Sequence, residues 1–218
     1  MRKLHFVIDE SGSMASMMED LKEGMQATLR DIGECDVCIS TFSNEVHLDV
    51  LVCKSSSFTM PDFHCNGGTR LYDCLVQVFT KEMDLTDTMV VVVTDGLNNL
   101  GTSTEEDVRK LLLKFKENNN IVKFLGANMD ALVNAAVLGV DASDALTYDG
   151  ANVTHAFRAV SENITQYQQT GVNVPFLQPQ RAASIATPTP TPPTQNPLHA
   201  DPHDLGPPVP RRCQSMIG

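Results

Sequence analysis

Two aspartates, two serines and a threonine are spaced so that they could share one cation. Asp9 closes the apolar run Leu4 to Ile8 and opens Asp9-Glu10-Ser11-Gly12-Ser13. Asp95 closes Val90-Val91-Val92-Val93-Thr94 and is followed by Gly96. Two carboxylates brought together repel unless a cation or a proton lies between them. Ser11 and Ser13 alternate with Asp9, so both hydroxyls can turn toward one point, and Gly12 eases the bend. Gly67-Gly68-Thr69 adds a third hydroxyl just before a helical pattern, where Thr69 is either a ligand or an ordinary helix cap. The donors are all oxygen, which suits a hard cation and argues against zinc or copper. Mg²⁺ fits first, with Mn²⁺ or Ca²⁺ as substitutes, and some contacts made through water leave a coordination position open.

These residues meet only if the chain folds in a particular way. Short apolar runs alternate with helical patterns, the mark of crossover units and a mainly parallel sheet. Strands are predicted over Lys3 to Asp9, Asp36 to Phe42, Val46 to Val52, Met89 to Thr94, Val122 to Gly126 and Ala145 to Tyr148. Only Ser43, Asn44 and Glu45 separate the second from the third, too few for a parallel crossover, so the third is an antiparallel edge strand. The expected fold is α/β, doubly wound and Rossmann-like: a mostly parallel six-stranded sheet with helices on both faces. In such a sheet ligands bind outside the carboxyl ends of strands where the strand order reverses. If the first and fourth strands are neighbours, Asp9 and Asp95 face each other there.

Helical stripes lie between the strands. Met14, Met18, Leu21, Met25, Leu29 and Ile32 form one face, and Leu71, Leu75, Val78 and Phe79 another. Ser103 with Glu106 reads as a capping box for a third helix containing Leu111, Leu112 and Phe115. Asp130 caps a short helix that Gly139 ends, and a last helix from Ala151 to Thr170 closes at Gly171. Each stripe is most simply core.

With the five residues and their strand ends in place, the chain resembles the von Willebrand factor type A domain and its metal-ion-dependent adhesion site. The family's Asp-x-Ser-x-Ser motif falls on Asp9, Ser11 and Ser13, its threonine on Thr69 and its second aspartate on Asp95. The resemblance covers residues 3 to about 171 and makes the site complete. It implies that Ser11, Ser13 and Thr69 touch the metal directly or nearly so, with Asp9 and Asp95 often acting through water. A glutamate or aspartate of a partner protein would fill the open position. Phe124-Leu125-Gly126-Ala127-Asn128, Leu138-Gly139-Val140 and Ala145-Leu146-Thr147-Tyr148 resemble intracellular and microbial members more than integrin domains. Movement of the last helix on ligand binding, known of integrin-type relatives, is a further implication of the resemblance.

Composition narrows the partners. Of 218 residues, 42% are hydrophobic, enough to fill the core of one domain. Up to residue 178 there are 13 Lys and Arg against 25 Asp and Glu, giving −12; the remainder carries +1, for the total of −11. Nucleic acid and anionic lipid need a basic patch and are excluded as expected partners. No stretch approaches the roughly 20 apolar residues of a membrane span. Leu4 to Ile8 reads as a buried strand, leaving no room for a signal peptide, so a cytoplasmic protein is expected. The six cysteines are then reduced, mostly small core residues. Cys35 and Cys38 have the spacing of half a zinc site, but Cys38 lies within a strand and Cys65 and Cys74 do not repeat the gap. Two sequons, Asn152-Val153-Thr154 and Asn163-Ile164-Thr165, are silent without secretion.

Only Pro61 precedes residue 175, and the other eleven prolines lie between Pro175 and Pro210. The domain is therefore assigned to residues 1–173, and residues 174–218 to an extended, disordered proline-rich tail. Its Pro207-Pro208-Val209-Pro210-Arg211-Arg212 has the polyproline II pattern that aromatic-lined grooves bind, so the tail is either a plain linker or a ligand for such a domain. Two smaller choices stay open: Asn128 is a loop cap or a rim contact, and Asp62, His64 and Cys65 belong to a solvated loop or to the rim.

The reading is of a non-enzymatic, cation-dependent binding module for protein. A Mg²⁺-dependent phosphohydrolase is the alternative of another class, because aspartate-nucleophile phosphatases also start from an aspartate at the end of a first strand. They usually need a second acid where Ser11 stands, and a lysine in the site. Serine chemistry is disfavoured because Ser11 and Ser13 lack a nucleophile elbow. A scaffold acting mainly through the tail is the third possibility.

Overall fold

The computed structural model describes residues 1–186. Six strands, β1 (Lys3–Asp9), β2 (Asp36–Phe42), β3 (Val46–Lys54), β4 (Thr88–Thr94), β5 (Ile121–Ala127) and β6 (Ala145–Tyr148), form one sheet in the order β3-β2-β1-β4-β5-β6. All neighbours are parallel except β2 and β3. The chain builds outward from β1 to β3, then returns to the other side of β1 with β4. The order therefore reverses between β1 and β4, and the crevice opens at their carboxyl ends.

Alternation along β1 divides the core. Leu4, Phe6 and Ile8 face a cluster with Met14, Leu21, Met25, Phe157 and Val160, under α1 (Met18–Asp31) and α5 (Val153–Thr170). Val7 faces the other cluster, with Phe42, Val78, Phe79, Leu112 and Phe115, under α2 (Leu71–Glu82), α3 (Glu105–Glu117) and α4 (Ala131–Leu138). β4 is buried along its whole length, as a central parallel strand covered on both faces must be. α1 and α5 pack closely at Gly24, where a Cβ would stand 2.8 Å from the Phe157 ring.

Two local expectations shift. The first apolar stripe is split into a 3₁₀ turn, Gly12–Ser16, and α1 proper. The capping box of α3 is Thr104 with Asp107, one residue beyond the expected pair. Ser103 is not the cap because its N–H goes to Asp73 Oδ1 at 2.8 Å, which fixes the approach to the helix.

The expected departure of the chain at residue 173 is corrected. Phe176 is buried with the α1–α5 cluster, and its N–H donates to Ser143 O at 2.8 Å. A further helix, α6 (Gln178–Ile185), follows, and Ser184 O accepts from Asp149 N–H at 2.9 Å. One large aromatic with a slot to fill outweighs the two prolines, and Pro179 stands in the first turn of α6, where a missing N–H costs nothing. The expected tail beyond residue 186, including Pro207 to Arg212, lies outside the described residues. Among the described residues no helix is long and apolar enough to cross a membrane.

Candidate metal centre

The β1–β4 pairing runs to Ile8 opposite Val93, so Asp9 and Thr94 end side by side. Asp9 is fully buried, and both its oxygens are held: Oδ1 accepts the Ser11 N–H at 2.7 Å and Oδ2 the Thr94 hydroxyl at 2.6 Å. Ser11 leads into the 3₁₀ turn, which swings Ser13 across the crevice. The Ser13 hydroxyl donates to Asp95 Oδ1 at 2.7 Å and lies 3.1 Å from the Ser11 hydroxyl. Four of the five expected residues thus form one connected set.

Thr69 arrives on a separate loop. Gly12 N–H donates to Gly67 O at 3.2 Å, and Asn66 N–H to Glu10 O at 2.8 Å. Gly67 has φ +70°, and a Cβ there would stand 2.4 Å from Asn44, so only glycine fits. The cap position of α2 falls to Arg70, without a side-chain cap bond, which removes the reading of Thr69 as an N-cap. Its Oγ1 lies 3.4 Å from where a Cβ of Gly96 would be, beside the turn that carries Asp95.

Several residues that position this set were not found from the sequence. Asn99 Oδ1 accepts the Thr69 N–H at 2.8 Å, while Thr69 O accepts from Asn99 and Leu100, and Asn98 Oδ1 accepts the Tyr72 N–H at 3.0 Å. Glu10 is buried, and its Oε1 accepts the His64 N–H at 2.7 Å. Asp62, His64, Glu10, Glu45 and His47 line a hollow of about 440 Å³ beside the loop, and none of the five expected site residues lines it. Asn128 is a loop cap: it has φ 52°, and its Oδ1 accepts the Gly150 N–H at 2.9 Å.

The electrostatics at this end of the sheet have one sign. Burial raises the Asp9 carboxyl above its ordinary value, against the hydrogen bonds from Thr94 and Ser11, and the charge of Asp95 pushes the same way. Burial, then Asp95 and Asp9, raise the Tyr148 phenol, whose oxygen is buried without a hydrogen-bond partner. Burial, then Glu10 and Asp9, raise the Cys65 thiol. Among the described residues neither Asp9 nor Asp95 takes part in an ion pair. The donor set fits a hard divalent cation: all oxygen, two uncompensated carboxylates and three hydroxyls.

No protein-family model and no curated protein matches the sequence, but solved structures do. A von Willebrand factor type A protein from Catenulispora acidiphila superposes with a TM-score of 0.55 at 16% identity, over 75% of this chain and 42% of that one. The fold is that of a von Willebrand factor type A domain. Proximal thread matrix protein 1 from the mussel byssus, in a form described as having a zinc-occupied MIDAS (metal-ion-dependent adhesion site) motif, gives 0.56 at 14% identity over 75% and 48%. The pilus adhesin SpaC from Lactobacillus rhamnosus GG gives 0.62 at 15% identity over 76% and 30%. The chain spans less than half the length of each of these structures.

Proposed function

We propose that the chain is a divalent-cation-dependent binding module for protein, in which Asp9, Ser11, Ser13, Thr69 and Asp95 hold Mg²⁺ and an acidic side chain of a partner completes the coordination. The observation that carries this reading is the pair of carboxylates, Asp9 and Asp95, converging with Ser11 and Ser13 at the switch point of the sheet without an ion pair to a basic side chain among the described residues. Ser11, Ser13 and Thr69 are neutral donors suited to direct contact. Both Asp9 oxygens already accept protein hydrogen bonds, which favours its acting through water. Neutral direct donors leave most of the positive charge unspent, and that charge is what an outside carboxylate binds. The mussel protein with its zinc-occupied site and the pilus adhesin support a metal-bearing, adhesive use of this fold, and the all-oxygen donors here favour Mn²⁺ or Ca²⁺ over Zn²⁺ as occupants in place of Mg²⁺.

Phosphohydrolase chemistry through Asp9 is disfavoured, because a nucleophile needs a free oxygen and access, and Asp9 is fully buried with both oxygens engaged.

The test is capture of Asp- and Glu-containing peptides from an array by the full chain in Mg²⁺, repeated in chelator and with Asp9→Ala. Capture is expected only by the wild type with metal. Capture that survives both treatments would overturn the reading, and turnover of a phosphate ester, lost in Asp9→Asn, would revive the enzyme.

A further inference from the structure

Away from the crevice, on the α2 face of β1, β2 and β3, a ring nitrogen of His5, the Sγ of Cys38 and a carboxylate oxygen of Asp49 lie within 4.8 Å of one another. We propose that these three side chains form a second metal site, selective for a soft or borderline divalent ion of the Zn²⁺ class and independent of the oxygen site.

The backbone is shaped to bring the third ligand in. Ile39 pairs with Leu51 and Thr41 with His47, so the single residue Ser40 of β2 faces Leu48, Asp49 and Val50 of β3. This bulge puts Asp49 at φ 53°, a left-handed conformation that costs a non-glycine residue on the order of 1 kcal/mol. Its result is that Asp49 turns inward, where Oδ1 accepts the Cys38 S–H at 3.0 Å.

His5 is prepared as a ligand. Its Nδ1 lies 2.7 Å from Glu82 Oε1 and its Nε2 lies 2.8 Å from Ser40 Oγ, with both the ring and Glu82 buried. A carboxylate holding Nδ1–H leaves the Nε2 lone pair to the Ser40 hydroxyl, which a metal ion would displace, and this carboxylate–histidine arrangement is the one that orients metal-bound imidazoles. Nitrogen, thiolate and carboxylate bound to tetrahedral zinc at about 2.0–2.3 Å would be roughly 3.5 Å apart, inside the 4.8 Å span of this cluster. The Ser40 hydroxyl, or water, is available as a fourth ligand.

Charge balance favours exchange over simple addition. Asp49 and Glu82 carry −2 against +2 from Lys3 and Lys81, which pair with Glu82 and Asp49 respectively. A divalent ion that displaces Lys81 and releases the Cys38 proton to solvent leaves the cluster again at zero. Lys81 is 42% exposed and Asp49 28% exposed, so Lys81 can swing into water and the ion has an entry path from the strand edge.

Co²⁺ titration of the reduced full chain, followed by absorbance, tests this. One equivalent should produce a thiolate-to-cobalt charge-transfer band and tetrahedral ligand-field bands, both reversed by Zn²⁺. The sulfur band should persist in Asp9→Ala, since an all-oxygen site cannot produce it, and vanish in Cys38→Ala. Asp49→Asn should weaken Co²⁺ at least about tenfold, the lower end of what even outer partners of a metal site cost. Lys81→Gln should tighten binding severalfold. Absence of the sulfur band, its retention in Cys38→Ala, or equal affinities for wild type, Asp49→Asn and Lys81→Gln would overturn the proposal. If Cys38→Ala does not fold, the two edge variants decide.

Discussion

Two polar clusters sit on the same strand, β1, and differ in how their charge is met. At its carboxyl end Asp9 and Asp95 have hydroxyl and N–H donors around them and, among the described residues, no cationic partner. Four residues earlier His5 lies in a chain of compensated groups: Lys3 and His5 against Glu82, Lys81 against Asp49. Burial holds His5 below its ordinary value even though Glu82 pulls the other way, and the bonds from His5 and Lys3 outweigh burial to lower Glu82. The difference separates two uses of buried charge. Compensated charge locks β1, β2 and β3 to α2 and admits an ion only by exchange. Uncompensated charge contributes little to holding the fold and, on the proposed function, would keep a place for a cation.

The largest expected effect tests that division directly. Glu82→Leu leaves Lys3 and His5 without their carboxylate and should cost about 3–5 kcal/mol, the usual penalty for breaking a buried ion pair. Ser13→Ala, an exposed hydroxyl at the oxygen site, should cost under about 1 kcal/mol in metal-free buffer. Urea unfolding of both variants in chelator measures the gap. Similar losses would mean that the oxygen site is as structural as the His5 cluster.

A middle-sized effect should appear only with metal. At a Mg²⁺ concentration a hundred times Kd, wild type should gain about 2.7 kcal/mol by mass action. Asp95→Asn should lose most of that gain. Without metal it should match or slightly exceed the wild type, because the substitution removes a charge that opposes ionisation of Asp9. Thermal unfolding with and without Mg²⁺ reads both arms, and an Asp95→Asn protein that gains as much as wild type would place the ion elsewhere.

The meeting of Asp9, Ser11, Ser13 and Asp95 was largely legible in the sequence because they stand at or just after the ends of strongly apolar strands. An aspartate closing Val90 to Thr94 can be placed by counting, and the three-residue link between β2 and β3 dictates their antiparallel pairing. What holds the site could not be placed in this way. Thr94 looks like any strand residue until the register sets it beside Asp9, and Asn98, Asn99 and Glu10 act on loops far from them in sequence. The His5 cluster was hidden for the same reason with one addition. Cys38 does belong to a group with metal-ligand chemistry, but its companions come from β1 and from the bulge of β3, not from Cys35. A bulge has no signature in apolar alternation, so nothing in the sequence singles out Asp49 within the edge strand. Phe176 was missed because proline density dominated the reading of residues 174–186, and a slot for one aromatic is a tertiary fact.

The smallest expected effect concerns Asp73, a carboxylate held almost wholly by neutral donors, as the oxygen site is, yet serving structure, as the His5 cluster does. Its Oδ1 accepts N–H bonds from Ser103 at 2.8 Å and Thr102 at 3.1 Å, and its Oδ2 meets Arg70 at 3.1 Å. Burial alone would raise its carboxyl, but the bonds from Ser103, Thr102 and Arg70 prevail and hold it below the ordinary value. A folded-state value below the unfolded one, near 3.9, contributes stability that is complete above that pH and disappears as the pH falls through the folded value. Asp73→Asn keeps an acceptor but loses the charge, so it should cost about 1 kcal/mol at pH 7. The gap to wild type should shrink below about pH 4, as the wild-type carboxylate is itself protonated. Urea unfolding at pH 7 and pH 3 measures both. An unchanged gap at pH 3 would show that shape, not charge, ties the segment after Asp95 to α2, and the contrast between charge that holds the fold and charge that waits for a cation would then rest on the His5 cluster alone.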